Sequence, residues 1–287
     1  MTLAIDHAAY PFESKWIALR SARMHYVDEG QGEPILFVHG TPTWSFEWRH
    51  LIKALSASHR CIAPDHIGFG LSGRPHDAPY TPEWHAQNLQ EFVEQLDPGP
   101  LTLVVHDFGG PIALPLALHR PELVKRLVVI NSWMWSFADD AEMRARARVA
   151  GGSLGRFLYR WANLSLRAIM PSAYGDRRAL TPAIHRQYLD RFPDRWSRGA
   201  VLWPLAHALL ASSEFYDSLW RERARLACLP ALIIWGMKDT AFRPHQFVRW
   251  REALPVANVV EIPRGGHWPH EEAPDEVAGA LKEFLAT

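Results

Sequence analysis

Two carboxylates and one imidazole stand in this chain where apolar runs give way to turns. The first is Asp107. The run Leu101–His106 leads into it, and Phe108-Gly109-Gly110-Pro111 follows. A buried strand that ends in one polar residue and two glycines predicts a nucleophile elbow, with its side chain exposed above a sheet. The same position also suits an Asp that merely caps the next helix. As a nucleophile, a carboxylate attacks saturated carbon and leaves an alkyl ester. The elbow holds Asp rather than Ser, and Gly70-Leu71-Ser72-Gly73 has the wrong spacing for a serine elbow. Ordinary acyl transfer is therefore not the expected chemistry.

The partners follow in chain order. The run Ala231–Trp235 leads into Gly236-Met237-Lys238-Asp239, and Val259–Ile262 leads through Arg264-Gly265-Gly266 to His267. Nucleophile, acid and then His is the order of an α/β-hydrolase, with all three at the carboxyl edge of a parallel sheet. His270 is a nearby but weaker candidate, because it lies farther from the strand. A third element is His39-Gly40-Thr41-Pro42 after Ile35–Val38. Its turn can aim the Thr41 N–H at the nucleophile, with the Phe108 N–H beside it, forming an oxyanion hole. The Thr41–Pro42 bond is a candidate for the cis form.

These residues need a frame to hold them. Short runs rich in Val, Ile and Leu recur at Ile35–His39, Cys61–Pro64, Leu101–His106, Leu127–Ile130, Ala231–Trp235 and Val259–Ile262. None alternates strictly, which predicts strands buried on both faces of a parallel sheet. Helical patterns lie between them at Phe46–Leu55, Pro82–Leu96, Gly110–His119, His245–Leu254 and Pro274–Leu285. Ile17–Arg20 and Met24–Asp28 read as a leading hairpin. Alternating strands and helices imply a mostly parallel α/β sheet of eight strands. The alternation breaks after the sixth strand, and residues 133–212 read as a helical cap. It interrupts a core made of residues 1–132 and 213–287.

The 287 residues carry 31 Lys+Arg and 31 Asp+Glu, a formal net charge of zero. That balance excludes the basic excess of a nucleic-acid binder. No run reaches the roughly 18 apolar residues of a membrane span, and the start lacks a leader pattern, so a cytoplasmic protein is expected. Cys61 and Cys228 read as two buried free thiols. The cap holds twelve Arg, no Lys, five Asp and one Glu, or +6, leaving −6 for the rest. It reads either as a solvated Arg-rich surface or as a lid whose field favours anions.

The sequences His39-Gly-Thr-Pro-Thr-Trp-Ser45, Val105-His-Asp-Phe-Gly109, Trp235-Gly-Met-Lys-Asp239 and Gly266-His267 resemble the haloalkane dehalogenases of the α/β-hydrolase superfamily. Asp65-His-Ile-Gly-Phe-Gly-Leu-Ser72 is shared with many relatives, and Tyr188-Leu-Asp-Arg-Phe-Pro193 with Leu202-Trp-Pro204 is similar to the dehalogenase cap. The resemblance implies an α/β-hydrolase fold and an Asp107–His267–Asp239 triad. It also implies hydrolysis of a small apolar haloalkane to alcohol and halide without metal or cofactor. Asn131, after the sixth strand, carries no carboxylate and so agrees with an acid after the seventh. Two positions depart from the family. Halide is usually held by a Trp after the nucleophile and by an Asn in the His-Gly loop or a cap Trp; here stand Phe108 and Thr41. Trp44, Trp133, Trp161 and Trp203 are the substitute pocket candidates, with Trp135 a further one. The competing functions are an epoxide hydrolase using cap Tyr159, Tyr174 or Tyr188 as acid, and a non-hydrolytic ligand-binding homologue.

Overall fold

The computed structural model describes residues 5–287. Eight strands form one mixed, mostly parallel sheet in the order β1-β2-β4-β3-β5-β6-β7-β8. They are β1 Lys15–Ala18, β2 Arg23–Glu29, β3 Pro34–Val38, β4 Arg60–Pro64, β5 Leu101–Asp107, β6 Val124–Ser132, β7 Ala231–Gly236 and β8 Asn258–Ile262. The leading hairpin β1–β2 pairs antiparallel and joins β4 antiparallel; β3, β4, β5, β6, β7 and β8 run parallel. Burial follows position in the sheet. Every residue of β5 and β7 is buried, while edge strand β1 alternates. Continuous apolar runs are what two-faced coverage by helices selects.

The chain leaves β3 toward β4 on one side and returns to β5 on the other. The strand order therefore reverses between β3 and β5, opening a crevice at their carboxyl ends. Into it fall the loop after β3 and the turn after β5. Helices α1 Arg49–Leu55, α2 Pro82–Leu96 and α3 Gly109–His119 complete this half of the core. The expected helix at Phe46–Leu55 is instead a 3-10 turn, Ser45–Trp48, running into α1. Helix α3 passes through Pro115 unbroken, and nothing in its surroundings explains that proline.

Between β6 and β7 the chain is helical, from α4 Ala141–Gly151 and α5 Ser153–Ala162 to the helices Trp203–Ala211 and Ser213–Arg221. No described helix is long and apolar enough to cross a membrane. Both cysteines are free; Cys61 is buried on β4, but Cys228 is exposed, contrary to expectation. Its place past a 3-10 turn, just before β7, puts it on the surface.

Candidate active site

Asp107 ends β5 with φ of 50°, a left-handed conformation that a residue with a side chain adopts only at a cost of about 1–3 kcal/mol. The surroundings hold it there. Ser132 Oγ, at the end of β6, donates to the Asp107 carbonyl at 2.6 Å. Trp250 Nε1 in turn donates to the Ser132 carbonyl at 2.7 Å. In the loop after β3, the Thr41 N–H donates to Asp107 Oδ1 at 2.8 Å. That approach needs Gly40, because a Cβ there would collide with the Asp107 carboxylate. The Thr41–Pro42 bond is cis.

The other Asp107 oxygen faces His267. Its Oδ2 lies 3.4 Å from His267 Nε2, and His267 Nδ1 lies 2.8 Å from Asp239 Oδ2. All three side chains are buried. Asp239 is itself positioned: Asn131 Nδ2 donates to its Oδ2 at 2.8 Å, and the Ala241 N–H to its Oδ1 at 2.6 Å. Burial opposes charge on His267, but Asp239 and then Asp107 outweigh it, pushing the imidazole up to about 10. The two carboxylates thus favour the protonated imidazole.

A cavity of about 720 Å³ opens above this group. Its floor is Thr41, Asp107, Phe108, His267 and Trp268, and its walls include Met143, Val149, Leu164, Ile169 and Leu209 from the helical segment. A pocket lined mainly by apolar side chains with a few convergent polar groups is the usual form of a small-molecule site.

Of the expected pocket residues, Thr41 and Phe108 line the cavity. The four tryptophans do not. Trp44 is wholly buried between Tyr10 and Phe46, with its Nε1 donating to the Gln187 carbonyl. Trp161 is 48% exposed and carries Arg195 over its face. Trp161 and Trp203 line a separate groove on the helical segment, because the facing of a helical residue is set by which stripe its helix buries. Trp133 stands one layer back, edge-on to Phe108 at 4.7 Å. Trp135 packs against Trp220 and Trp250.

Sequence reasoning missed Trp268 and Asn131. Trp268 follows His267 and lines the cavity, and its buried Nε1 has no hydrogen-bond partner among the described residues. Adjacency to His267 was the available signal. In the sequence Asn131 shows only a missing carboxylate; the pairing of β6 with β7 brings its amide to Asp239. The pattern Gly151-Gly152-Ser153-Leu154-Gly155 also fits a serine elbow in sequence, but Ser153 opens α5 after another helix, with no strand before it. Of the three cap tyrosines, only Tyr159 lines the cavity. Tyr174 and Tyr188 both donate to the buried Glu271 carboxylate, which Arg49 also binds. They do not converge over Asp107.

A family model described as the alpha/beta hydrolase fold matches residues 33–274. The chain is 38% identical over 280 residues to haloalkane dehalogenase 2 of Mycobacterium tuberculosis, covering 97% of this chain and 96% of the relative. It is 34% identical over 283 residues to the cis-3-alkyl-4-alkyloxetan-2-one decarboxylase of Shewanella oneidensis, covering 96% and 89%. Among solved structures, the haloalkane dehalogenase DatA from Agrobacterium tumefaciens superposes with a TM-score of 0.85 at 25% identity, covering 96% of both chains. By fold, full-length sequence similarity and structural likeness, this chain belongs to the α/β-hydrolase superfamily and, within it, to the haloalkane dehalogenases.

Proposed function

We propose that the chain hydrolyses haloalkanes through an alkyl ester on Asp107, with residues 133–212 as the cap over the site. One observation carries this reading: a carboxylate on the elbow, bonded to Thr41 N–H, faces an imidazole held by a second carboxylate beneath an apolar cavity. In the first step an Asp107 oxygen displaces halide in line from the alkyl carbon. Ester formation removes the Asp107 charge that helped raise His267, so the imidazolium loses its proton to solvent. Neutral His267 Nε2 then takes a proton from water, which attacks the Asp107 carboxyl carbon. The Thr41 and Phe108 N–H groups receive the resulting oxyanion. Collapse releases the alcohol and restores the carboxylate. Haloalkane and water become alcohol, halide and a proton, with neither metal nor cofactor required.

Phe108 and Thr41 offer the departing halide no side-chain N–H. Turnover is therefore slow, and iodide and bromide leave faster than chloride. The chain's balanced charge favours such a small apolar substrate over a nucleic-acid partner. Single-turnover reaction of 1,2-dibromoethane in heavy-oxygen water is expected to label the Asp107 carboxylate, read by mass analysis of its peptide. Asp107→Asn is expected to abolish turnover. Label absent from Asp107 despite halide release would rule out the ester. Styrene oxide serves as the control for epoxide opening, which the placement of Tyr174 and Tyr188 on Glu271 disfavours.

A second reading has support from the same two positions. A four-membered lactone needs no halide donors, and the decarboxylase relative is named for such a ring. Here Asp107 would attack the ring carbon bearing oxygen, freeing a carboxylate on the neighbouring carbon. Loss of carbon dioxide then forms the alkene and expels Asp107. No water is consumed, so this route leaves Asp107 unlabelled and releases carbon dioxide from a dialkyl oxetan-2-one.

A further inference from the structure

Behind His267 lies a buried acid–imidazole pair that the proposed reaction does not use directly. His106, the residue before Asp107, places Nε2 2.8 Å from the His267 carbonyl oxygen. A carbonyl only accepts, so His106 Nε2 carries a hydrogen. In a neutral ring Nδ1 then bears a lone pair. Yet Nδ1 lies 3.2 Å from Glu47 Oε1, and both side chains are wholly buried. Two lone pairs at that distance repel. A proton must lie between them, carried either by the imidazole or by the carboxyl group.

We propose that Glu47 and His106 are positioning residues for His267, sharing one buried proton that keeps the His106 Nε2–H on the His267 carbonyl. The bond holds the backbone at the point where the His267 side chain must reach both Asp239 and Asp107. The groups around the pair come from every packed element. Trp48 and Arg49 follow Glu47, His39 follows β3, Asp107 follows His106, and Tyr188 of the helical segment lies within the electrostatic reach of Glu47. From the last loop come His267, Trp268 and His270. Arg49 is occupied by Glu271. His270 Nε2 stands 3.9 Å from Glu47 Oε1, beyond hydrogen-bond reach, and its ring stacks on Trp48. Burial first, then His106 and Arg49, keep His270 neutral. Among these side chains, His106 alone lies within hydrogen-bond distance of Glu47.

This inference rests on the two-step reading, because only the second step needs His267 as a base. Loss of the pair should therefore slow ester hydrolysis and spare ester formation. With Glu47→Met, bromide release from 1,2-dibromoethane is expected to show a one-equivalent burst, then steady turnover reduced about 10- to 100-fold. The alkylated Asp107 peptide should accumulate. Glu47→Gln can donate an amide hydrogen to Nδ1 and is expected to recover most of the rate. An equal loss in both phases would overturn the proposal, as would a Gln variant no better than Met. A readout without substrate separates this from failure of the dehalogenase reading. In histidine labelled with nitrogen-15, His106 is expected to be protonated at Nε2, with an Nδ1 signal shifted by the proton it shares with Glu47, a shift that Glu47→Met removes. An Nδ1–H, Nε2-unprotonated tautomer, or a His106 spectrum indifferent to Glu47→Met, would overturn it even if no haloalkane reacts. So would one equivalent of divalent metal, found by elemental analysis and lost on Glu47→Met, because the metal would take the proton's place.

Discussion

On the proposed chemistry, a phenyl ring and a threonine stand beside Asp107 where the departing anion would need donors. Phe108 lines the cavity and Trp133 backs it edge-on, so the ring lies at the floor but offers only carbon. In a water-excluded site, one missing donor costs about 100-fold in rate. Phe108→Trp is therefore expected to raise bromide release by about tenfold or more, and chloride release by a larger factor. Halide titration under saturating substrate measures this. No rise would move halide stabilisation to another group, Trp268 Nε1 being a cavity-lining indole nitrogen without a partner among the described residues. Much of this residue scale was legible beforehand: the elbow Asp, the Gly-Met-Lys-Asp turn and the His after a glycine pair each sit next to a recognisable strand. The tryptophans were not legible, because only helix packing decides which of them turn inward.

The β5–α3 turn gathers its precision from three strands. β6 supplies Ser132 to the Asp107 carbonyl, and the loop after β3 supplies the Thr41 N–H. The first helical residue, Gly109, lies so close to β3 that a Cβ would run into the Val38 carbonyl. Gly109→Ala must push a backbone group aside and is expected to destabilise the fold by about 3 kcal/mol, with loss of activity at temperatures where it still folds. Urea unfolding checks this; an unchanged midpoint would mean the turn is looser than its geometry. The strand cores were read to within a few residues because continuous burial leaves a continuous apolar run. Their ends and the 3-10 start of α1 were not, since these depend on caps and neighbours.

Across the whole molecule, the buried charges couple stability to pH. His267 is raised from its ordinary 6.5 to about 10 by its two carboxylates. A folded-state value above the unfolded one means the imidazolium contributes its full stabilisation below about pH 6.5 and loses it as pH rises toward 10. The melting temperature is therefore expected to fall between pH 7 and 10, and to fall less steeply in Asp107→Asn. Scanning calorimetry of both proteins across that range tests it; parallel curves would deny the ion pair. The helical segment carries +6 and the rest −6. Some of that arginine is engaged in stacking, as Arg156 lies over Trp203 and Arg195 over Trp161. Arg146 lines the cavity, where it can favour an outgoing anion.

The strand–helix alternation, the chain order of Asp107, Asp239 and His267, and the interruption after β6 are legible in the residues alone. Each is written in local pattern: hydrophobic period, glycine at a turn, polar residue at a strand end. What surrounds those residues is set by how the chain packs. It brought Asn131 to Asp239 through the pairing of β6 with β7, sent Tyr174 and Tyr188 to Glu271, and placed Glu47 behind His267 through His106. These contacts join residues up to 161 positions apart, the His106–His267 bond being the longest of them. No local pattern encodes them, because they arise when sheet order and helix facing are settled together by burial.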